Sequence, residues 1–259
     1  MRLFEFEDLE WFPVTIRECM TDYLRFVLNS VNFYSPVSPV LKKGLAHARE
    51  FALVDLCSGG GGAIEKVQQN FNEAYKLSLP VTLTDKFPNL PAYQLLRSKK
   101  GNIGFLEMPV DAMHVPPELS GLRTMFSAFH HFNKLQAKVI LADAVRAKDP
   151  IAIFDGGDKN IFTILGMLLV HPVVFILFTP FFAPFKGSRI VFTYLLPVIP
   201  ICTIWDGIVS VLRLYRPAAL LEIAGDLNDK SYTWEAGNLK NKFGMKVTYL
   251  LGYPNQGST

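Results

Sequence analysis

The sequence predicts an α/β protein built on a doubly wound, mostly parallel sheet of seven strands. Two observations indicate this class. Between residues 50 and 155, five short apolar segments with strand character alternate with helix-like segments, which is typical of a parallel sheet with helices on both faces. Near the C-terminus, segments 231–239 and 245–254 follow one another closely and predict a β-hairpin that closes one edge of the sheet.

Each element of this sheet has its own signal in the sequence. The predicted strands are residues 51–56, 81–84, 103–107 (a weak strand or a loop), 122–126 and 150–154, and the clearest helices are about 63–75 and 133–145. Upstream of them, apolar residues recur at helical spacing before a break at 35–39, SPVSP. The residues that carry this helical spacing are Ile16, Met20, Tyr23, Leu24, Val27 and Val31.

The chain has 259 residues, more than the roughly 150 of an average domain, which leaves room for an insertion in one large domain. We expect an N-terminal helical cap at 1–49, a core at 50–159, a hydrophobic insertion at 160–215, and a C-terminal part of the core with the hairpin at 216–259.

Composition excludes several classes of protein. Hydrophobic residues make up 50% and charged residues 19%, so the chain has ample material for a core and is not disordered. The 26 Lys and Arg against 23 Asp and Glu are too balanced for a nucleic-acid-binding protein. Cys19, Cys57 and Cys202 lie far apart, so neither a zinc site nor a disulfide framework is expected. The acidic start of the chain predicts a cytoplasmic protein with no secretory signal.

The insertion is unusually apolar. Residues 160–185 and 190–205 contain no charged residue, and five prolines predict a break into short helical pieces. The length and composition of these uncharged segments leave three alternatives open for the insertion. It could span a membrane, lie in the interface on the cytoplasmic face of a membrane, or form a soluble lid that covers a pocket or a dimer face.

The strongest functional motif is the turn after the first strand, DLCSGGGG. It lacks the third glycine of a dinucleotide-binding G-x-G-x-x-G, and the chain has no Gly-Lys-Ser/Thr of a phosphate-binding loop. Asp55, Cys57, Gly59 and Gly61 follow one another in steps of two. This spacing resembles motif I of the class I S-adenosylmethionine (SAM)-dependent methyltransferases, with Cys57 at the first glycine position as in quinone-type members.

The resemblance implies SAM as the cofactor and assigns roles to residues at the ends of the later strands. The glycines would let the backbone approach the methionine part of SAM, Asp85 would bind the ribose hydroxyls, and Asp111 would contact the adenine amino group. Ser127 would complete the cofactor site. His130 and His131 follow the fourth strand and would act as a base for the acceptor or only position it. Taken singly, either acid could be an ordinary solvated loop residue.

The resemblance implies methyl transfer, and the apolar insertion predicts that the acceptor is a hydrophobic small molecule or a lipid held beneath it. Asp206 and Arg213 share one face of the last helical piece, and they would either project into the acceptor site or form an ordinary ion pair. Two alternative functions remain at this point: a nicotinamide-dependent oxidoreductase, and a non-catalytic, membrane-associated protein that binds the cofactor.

Overall fold

The computed structural model describes residues 3–99 and 102–255. The outermost residues of the predicted cap (1–2) and of the predicted C-terminal part (256–259) lie outside the described residues.

One seven-stranded sheet organises the chain, and this confirms the predicted fold class. The strand order is β3-β2-β1-β4-β5-β7-β6. The first five strands are mutually parallel, and β7 runs antiparallel between β5 and β6. The strands are β1 (Leu53–Asp55), β2 (Val81–Leu83), β3 (Ile103–Phe105), β4 (Leu122–Phe126), β5 (Ile151–Gly156), β6 (Tyr232–Lys240) and β7 (Lys246–Pro254).

Helices cover both faces of the sheet because successive strand residues point to opposite sides. The helices are α1 (Val14–Ser30), α2 (Ser38–Leu45), α3 (Ile64–Tyr75), α4 (Leu90–Lys99), α5 (Lys134–Ala147), α6 (Ile161–Phe178), α7 (Gly187–Ile190), α8 (Val198–Arg213) and α9 (Pro217–Gly225). Leu53 and Phe154 pack with α2, α3 and α4 on one face, whereas Val54 and Ile153 pack with α5 and α9 on the other.

The cap and the insertion share a third hydrophobic cluster of their own. The ring of Tyr23 in α1 stacks on that of Phe175 in α6, with 3.9 Å between the ring centroids. Phe182, Ile199 and Cys202 of the insertion are buried in the same cluster. The cap therefore holds the insertion against the core.

Buried charges join the same two parts. Lys186 and Arg189, which separate the two uncharged stretches, both pair with Asp22 of α1, and Lys186 Nζ lies 3.0 Å from its Oδ2. Asp22 and Arg189 are almost fully buried. Removing one partner of such a pair lowers the stability of the fold, because the other charge stays buried without its counter-charge.

The prediction that the prolines break the insertion into short pieces is wrong for its first half. α6 continues for 18 residues with Pro172 inside it. Proline costs a helix one backbone hydrogen bond and creates a clash. Here tertiary contacts on both sides of the proline stabilise the helix, since Tyr23 OH and His171 Nδ1 are 2.5 Å apart and Phe175 is buried.

Within the described chain, residues 161–181 form the one single helical stretch long and apolar enough to cross a membrane. Its mean hydropathy is 2.5 and 6% of it is buried. Segments 187–195 and 198–213, bent by 80° relative to each other, would pass the same test as a pair.

Candidate functional site

The glycine-rich turn after β1 takes a backbone conformation that suits glycine. Gly59 and Gly61 have φ values of +53° and +88°, and Cys57 has φ +56°. A non-glycine residue in this left-handed region is strained because its Cβ approaches the backbone. Cys57 thus takes a left-handed backbone conformation that glycine adopts more readily.

Asp55 orders this turn from below. Its Oδ2 accepts a 2.7 Å hydrogen bond from Ser58 Oγ, and its Oδ1 accepts a 2.9 Å bond from Thr124 Oγ1 of the neighbouring strand. Burial raises the pKa of Asp55 to about 7, although these two hydrogen bonds lower it. Asp55 therefore connects β1, β4 and the turn. Its side chain is buried and is not part of the cavity lining.

Asp85, directly after β2, lies on the other side of the turn. Its Oδ2 accepts a 2.7 Å hydrogen bond from the Gly59 N–H, and its Oδ1 accepts one of 2.7 Å from the Phe87 N–H. Burial raises the pKa of Asp85, while the two backbone donors lower it. The carboxylate is thereby held in one orientation at the edge of a cavity.

The two glycines at steps of two have different surroundings. A Cβ on Gly59 would lie 3.2 Å from Thr21 Cγ2, and both residues line the cavity. A Cβ on Gly61 would lie 2.2 Å from Cδ1 of the fully buried Leu96. A Cβ at Gly59 would therefore press on Thr21 at the wall of the cavity, whereas a Cβ at Gly61 would overlap a core side chain of α4.

The cavity has a volume of about 570 Å³ and lies at the carboxyl ends of β1, β2 and β4. Ligands bind at this edge in open α/β sheets. Of the predicted cofactor residues, the lining contains Cys57, Gly59, Asp85, Asp111 and Ser127.

Asp111 and Ser127 are both held by short hydrogen bonds at the cavity wall. Asp111 Oδ1 accepts a 2.9 Å bond from the Met113 N–H. Ser127 has φ +52°, and its Oγ lies 2.5 Å from the hydroxyl of the buried Tyr34. Residues from three strand ends thus meet in one pocket.

The opposite wall comes from the cap, and sequence reasoning missed it. Residues of the N-terminal segment and of α1 line the cavity, and among the described lining residues none belongs to 160–213. These cap residues are Glu7, Asp8, Val14, Arg17, Glu18, Thr21 and Leu24. The acidic run FEFED was the one signal in the sequence that could have pointed to them.

The two histidines have different positions. His130 is buried, and its Nδ1 lies 3.0 Å from Asp155 Oδ1. His131 lines the cavity, with its Nδ1 2.8 Å from Asp8 Oδ1 and 3.3 Å from Glu5 Oε2. Burial lowers the pKa of His131, but the neighbouring acids outweigh this and raise it to about 10. In this arrangement His131 is a cationic hydrogen-bond donor at neutral pH.

Asp206 and Arg213 of α8 contact the N-terminal segment. Asp206 accepts hydrogen bonds of 2.7 Å and 3.1 Å from the N–H groups of Phe6 and Glu7. Arg213 pairs with Glu5 at 2.6 Å and with Asp8 at 3.0 Å. Neither residue is part of the cavity lining. They hold in place the segment that covers the cavity.

The fold is similar to that of solved SAM-dependent methyltransferases. Human N-acetylserotonin methyltransferase, solved in complex with SAM, matches 94% of this chain with a TM-score of 0.54 and 11% identity. An O-methyltransferase family 2 protein from Planctomyces limnophilus, solved in complex with apigenin, matches 90% with a TM-score of 0.53 and 13% identity.

This chain spans 57% of the first protein and 61% of the second. No family model and no curated protein matches the sequence.

Proposed function

We propose that this protein is a SAM-dependent methyltransferase whose acceptor is a hydrophobic small molecule or a lipid. One observation carries the proposal. The Asp85 carboxylate, fixed by the Gly59 N–H, stands at the edge of a 570 Å³ cavity beside a turn in left-handed conformation. This geometry supports the proposal, because a carboxylate suits the two hydroxyls of a ribose and a ligand could approach the backbone of the turn closely.

The residues present fit SAM. A cavity of this volume lies within the usual range for small-molecule sites. Asp85 would accept hydrogen bonds from the two ribose hydroxyls, and Asp111 would accept one from the adenine amino group. Cys57 and Gly59 would contact the methionine part through the backbone, and Asp55 would keep the turn in place. Ser127 would close the site at the end of β4.

Bound SAM supplies a methyl group that is already activated by the sulfonium, so the protein's main task is to align the acceptor. The apolar side chains of Leu24, Met113, Phe126 and Phe132 line the cavity with the polar cofactor residues. Their presence supports an apolar acceptor. His131 lines the same cavity and would orient a polar atom of that acceptor by donating a hydrogen bond.

We also propose that the insertion binds the surface of a membrane. Phe162, Leu169 and Phe181 are 79%, 69% and 71% exposed, and neighbouring residues of α6 and 191–196 are exposed as well. An apolar surface of this kind is rare on a soluble monomer. A lipid surface would cover it and would bring a lipophilic acceptor close to the enzyme.

Contact with the membrane surface agrees with the packing of α6 better than a full crossing does. A spanning helix has lipid around most of its circumference, whereas the second half of α6 packs on α1 through Phe175 and the Tyr23–His171 hydrogen bond. α1 in turn carries Arg17 and Glu18 at the cavity. The helix is therefore held along the side of the folded domain.

The experiment that tests the activity uses SAM labelled on the methyl group, incubated with the protein and a total lipid and metabolite extract. We expect a labelled product in the organic phase and, at a SAM concentration well below saturation, about tenfold less of it with Asp85→Asn. Binding of SAM without any labelled product would indicate the non-catalytic alternative. Absence of SAM binding would contradict the proposal altogether.

A further inference from the structure

A second set of ligand-type side chains lies beside the cavity and is not needed for cofactor binding. Glu5, His130 and His131 each offer one ligand atom, and these atoms all lie within 4.8 Å of one another. Glu5 and His130 are buried, and His131 is half-buried. The three residues come from two distant parts of the chain, since Glu5 belongs to the N-terminal segment and the histidines follow β4.

Each of the three side chains is oriented by a second partner. Asp155 Oδ1 lies 3.0 Å from Nδ1 of His130, and Asp8 Oδ1 lies 2.8 Å from Nδ1 of His131. Glu5 Oε1 accepts a 2.6 Å hydrogen bond from Arg213, and its Oε2 lies 3.3 Å from His131. Carboxylates that hold one nitrogen of a histidine, and donors that fix a carboxylate, are typical of the surroundings of metal ligands.

The charges around the cluster favour a cation. Glu5, Glu7, Asp8, Asp155 and Asp206 surround or contact the two histidines. Within the part of the chain that the structure describes, Arg213 and Arg17 are the cationic side chains that interact with these acids, apart from His131 itself. Glu5, Asp8 and Asp155 each have an oxygen within 3.3 Å of a histidine nitrogen, so three carboxylates lie directly beside the histidines.

We propose that Glu5, His130 and His131 bind one divalent transition-metal ion of the zinc type at the wall of the cavity. Two imidazoles and one carboxylate suit Zn²⁺ and Co²⁺, and three protein ligands leave one coordination position for water or a ligand. Metal binding can be measured without methyl transfer, but the two proposals share His131, which with the ion bound would be a ligand and not a hydrogen-bond donor to the acceptor.

The site has a structural consequence. Because Glu5 lies in the N-terminal segment and the histidines lie in the core, a bound ion would fasten this segment over the cavity. Asp206 and Arg213 hold the same segment from its other side. Metal binding would therefore reduce the opening of the cavity.

The test is equilibrium dialysis of chelator-treated protein against Zn²⁺, with the metal content measured by elemental analysis. We expect one ion per chain, and at least about a tenfold loss of affinity in Glu5→Gln and in His130→Asn. His114→Asn is the matched control, since His114 is exposed and outside the cluster, and it should bind like the unchanged protein. Circular dichroism checks that each variant is folded.

Glu5 is fully buried and pairs with Arg213, so Glu5→Gln also removes a buried ion pair, and a measurement on the unchanged protein is needed beside it. Co²⁺ provides a second measurement, since its visible absorption reports the ligands. A Co²⁺ spectrum typical of nitrogen and oxygen ligands would support the site. A thiolate-to-cobalt charge-transfer band would show that a cysteine binds the ion instead. Absence of stoichiometric binding, or equal binding by Glu5→Gln, His130→Asn and His114→Asn, would overturn the proposal.

Discussion

The carboxylate of Asp85 accepts a 2.7 Å hydrogen bond from the backbone N–H of Gly59. This bond joins the end of β2 to the turn after β1, two places that are 26 residues apart in the chain. The consequence is that the turn and the carboxylate form one rigid edge of the cavity before any ligand binds.

The first prediction concerns Asp85. Asp85→Asn should weaken binding of SAM and of its demethylated product by at least about tenfold, because a charge-assisted hydrogen bond contributes about 1.5–3 kcal/mol. Asparagine keeps one acceptor oxygen, so it can accept from only one of the Gly59 and Phe87 N–H groups, and circular dichroism checks that the variant is folded. Titration calorimetry measures the effect. Asp158→Asn, at a surface ion pair with Lys246, is the control and should bind normally. Unchanged affinity in Asp85→Asn would place the ribose elsewhere.

The second prediction separates the two glycines of the motif. Gly59→Ala should lower the free energy of unfolding by about 1–2 kcal/mol, the cost of a left-handed alanine. It should weaken SAM binding more than about tenfold, because its Cβ would press on Thr21 at the cavity wall and displace the turn. Gly61→Ala should cost about 2 kcal/mol or more of stability, because its Cβ meets the buried Leu96.

Urea denaturation and calorimetry on both variants measure the two effects. The informative result is the difference between the variants: Gly59→Ala should mainly lose SAM affinity, whereas Gly61→Ala should mainly lose stability. If Gly59→Ala loses stability but binds SAM normally, the turn has only a structural role.

The third prediction is a pH dependence that originates at Asp55. The pKa of its carboxyl is about 7 in the folded protein against an ordinary value of 3.8, so folding favours the protonated form. The stabilisation from this proton is complete below pH 3.8 and is lost as the pH rises through about 7. Between about pH 5 and about pH 8 the unchanged protein should lose about 2 kcal/mol relative to Asp55→Asn.

Denaturation curves of both proteins at several pH values give this difference directly, since other titrating groups contribute equally to both. A difference that stays constant across the range would show that Asp55 titrates with an ordinary pKa. A difference that grows with rising pH in favour of the unchanged protein would show that folding favours the ionised carboxylate, the opposite of what its burial implies.

The fourth prediction concerns the insertion. Replacing Phe162 and Leu169 by Ser should reduce flotation with lipid vesicles several-fold and leave stability within about 0.5 kcal/mol, because both side chains are largely exposed. Phe175→Ala, in the same helix, is the contrasting variant. It should cost about 3–5 kcal/mol, since Phe175 is 1% exposed and stacks on Tyr23. Equal flotation of the double variant and the unchanged protein would contradict membrane contact, and a dimer that buries α6 would explain its exposure instead.

Much of the fold could be predicted because its signals are local. Short apolar segments, glycine punctuation and a hairpin pattern are properties of neighbouring residues, and the seven strands follow them. Part of the candidate site could also be predicted, because the carboxyl ends of parallel strands meet at one edge. Asp85, Asp111 and Ser127 each follow a strand directly or within a few residues, and all three line the cavity.

The sequence by itself therefore determined the sheet, the turn and the sequence-adjacent residues of one cavity wall. Only the tertiary structure decided what covers that cavity. The partners of Asp206 and Arg213 lie about 200 residues away in the N-terminal segment, and no local pattern encodes such a distance. Pro172 shows the same limit, since local propensity predicts a break there, whereas packing of α6 on Tyr23 keeps the helix continuous. Local preferences amount to a few kcal/mol, and long-range packing and ion pairs of similar size outweigh them where the chain brings distant residues together.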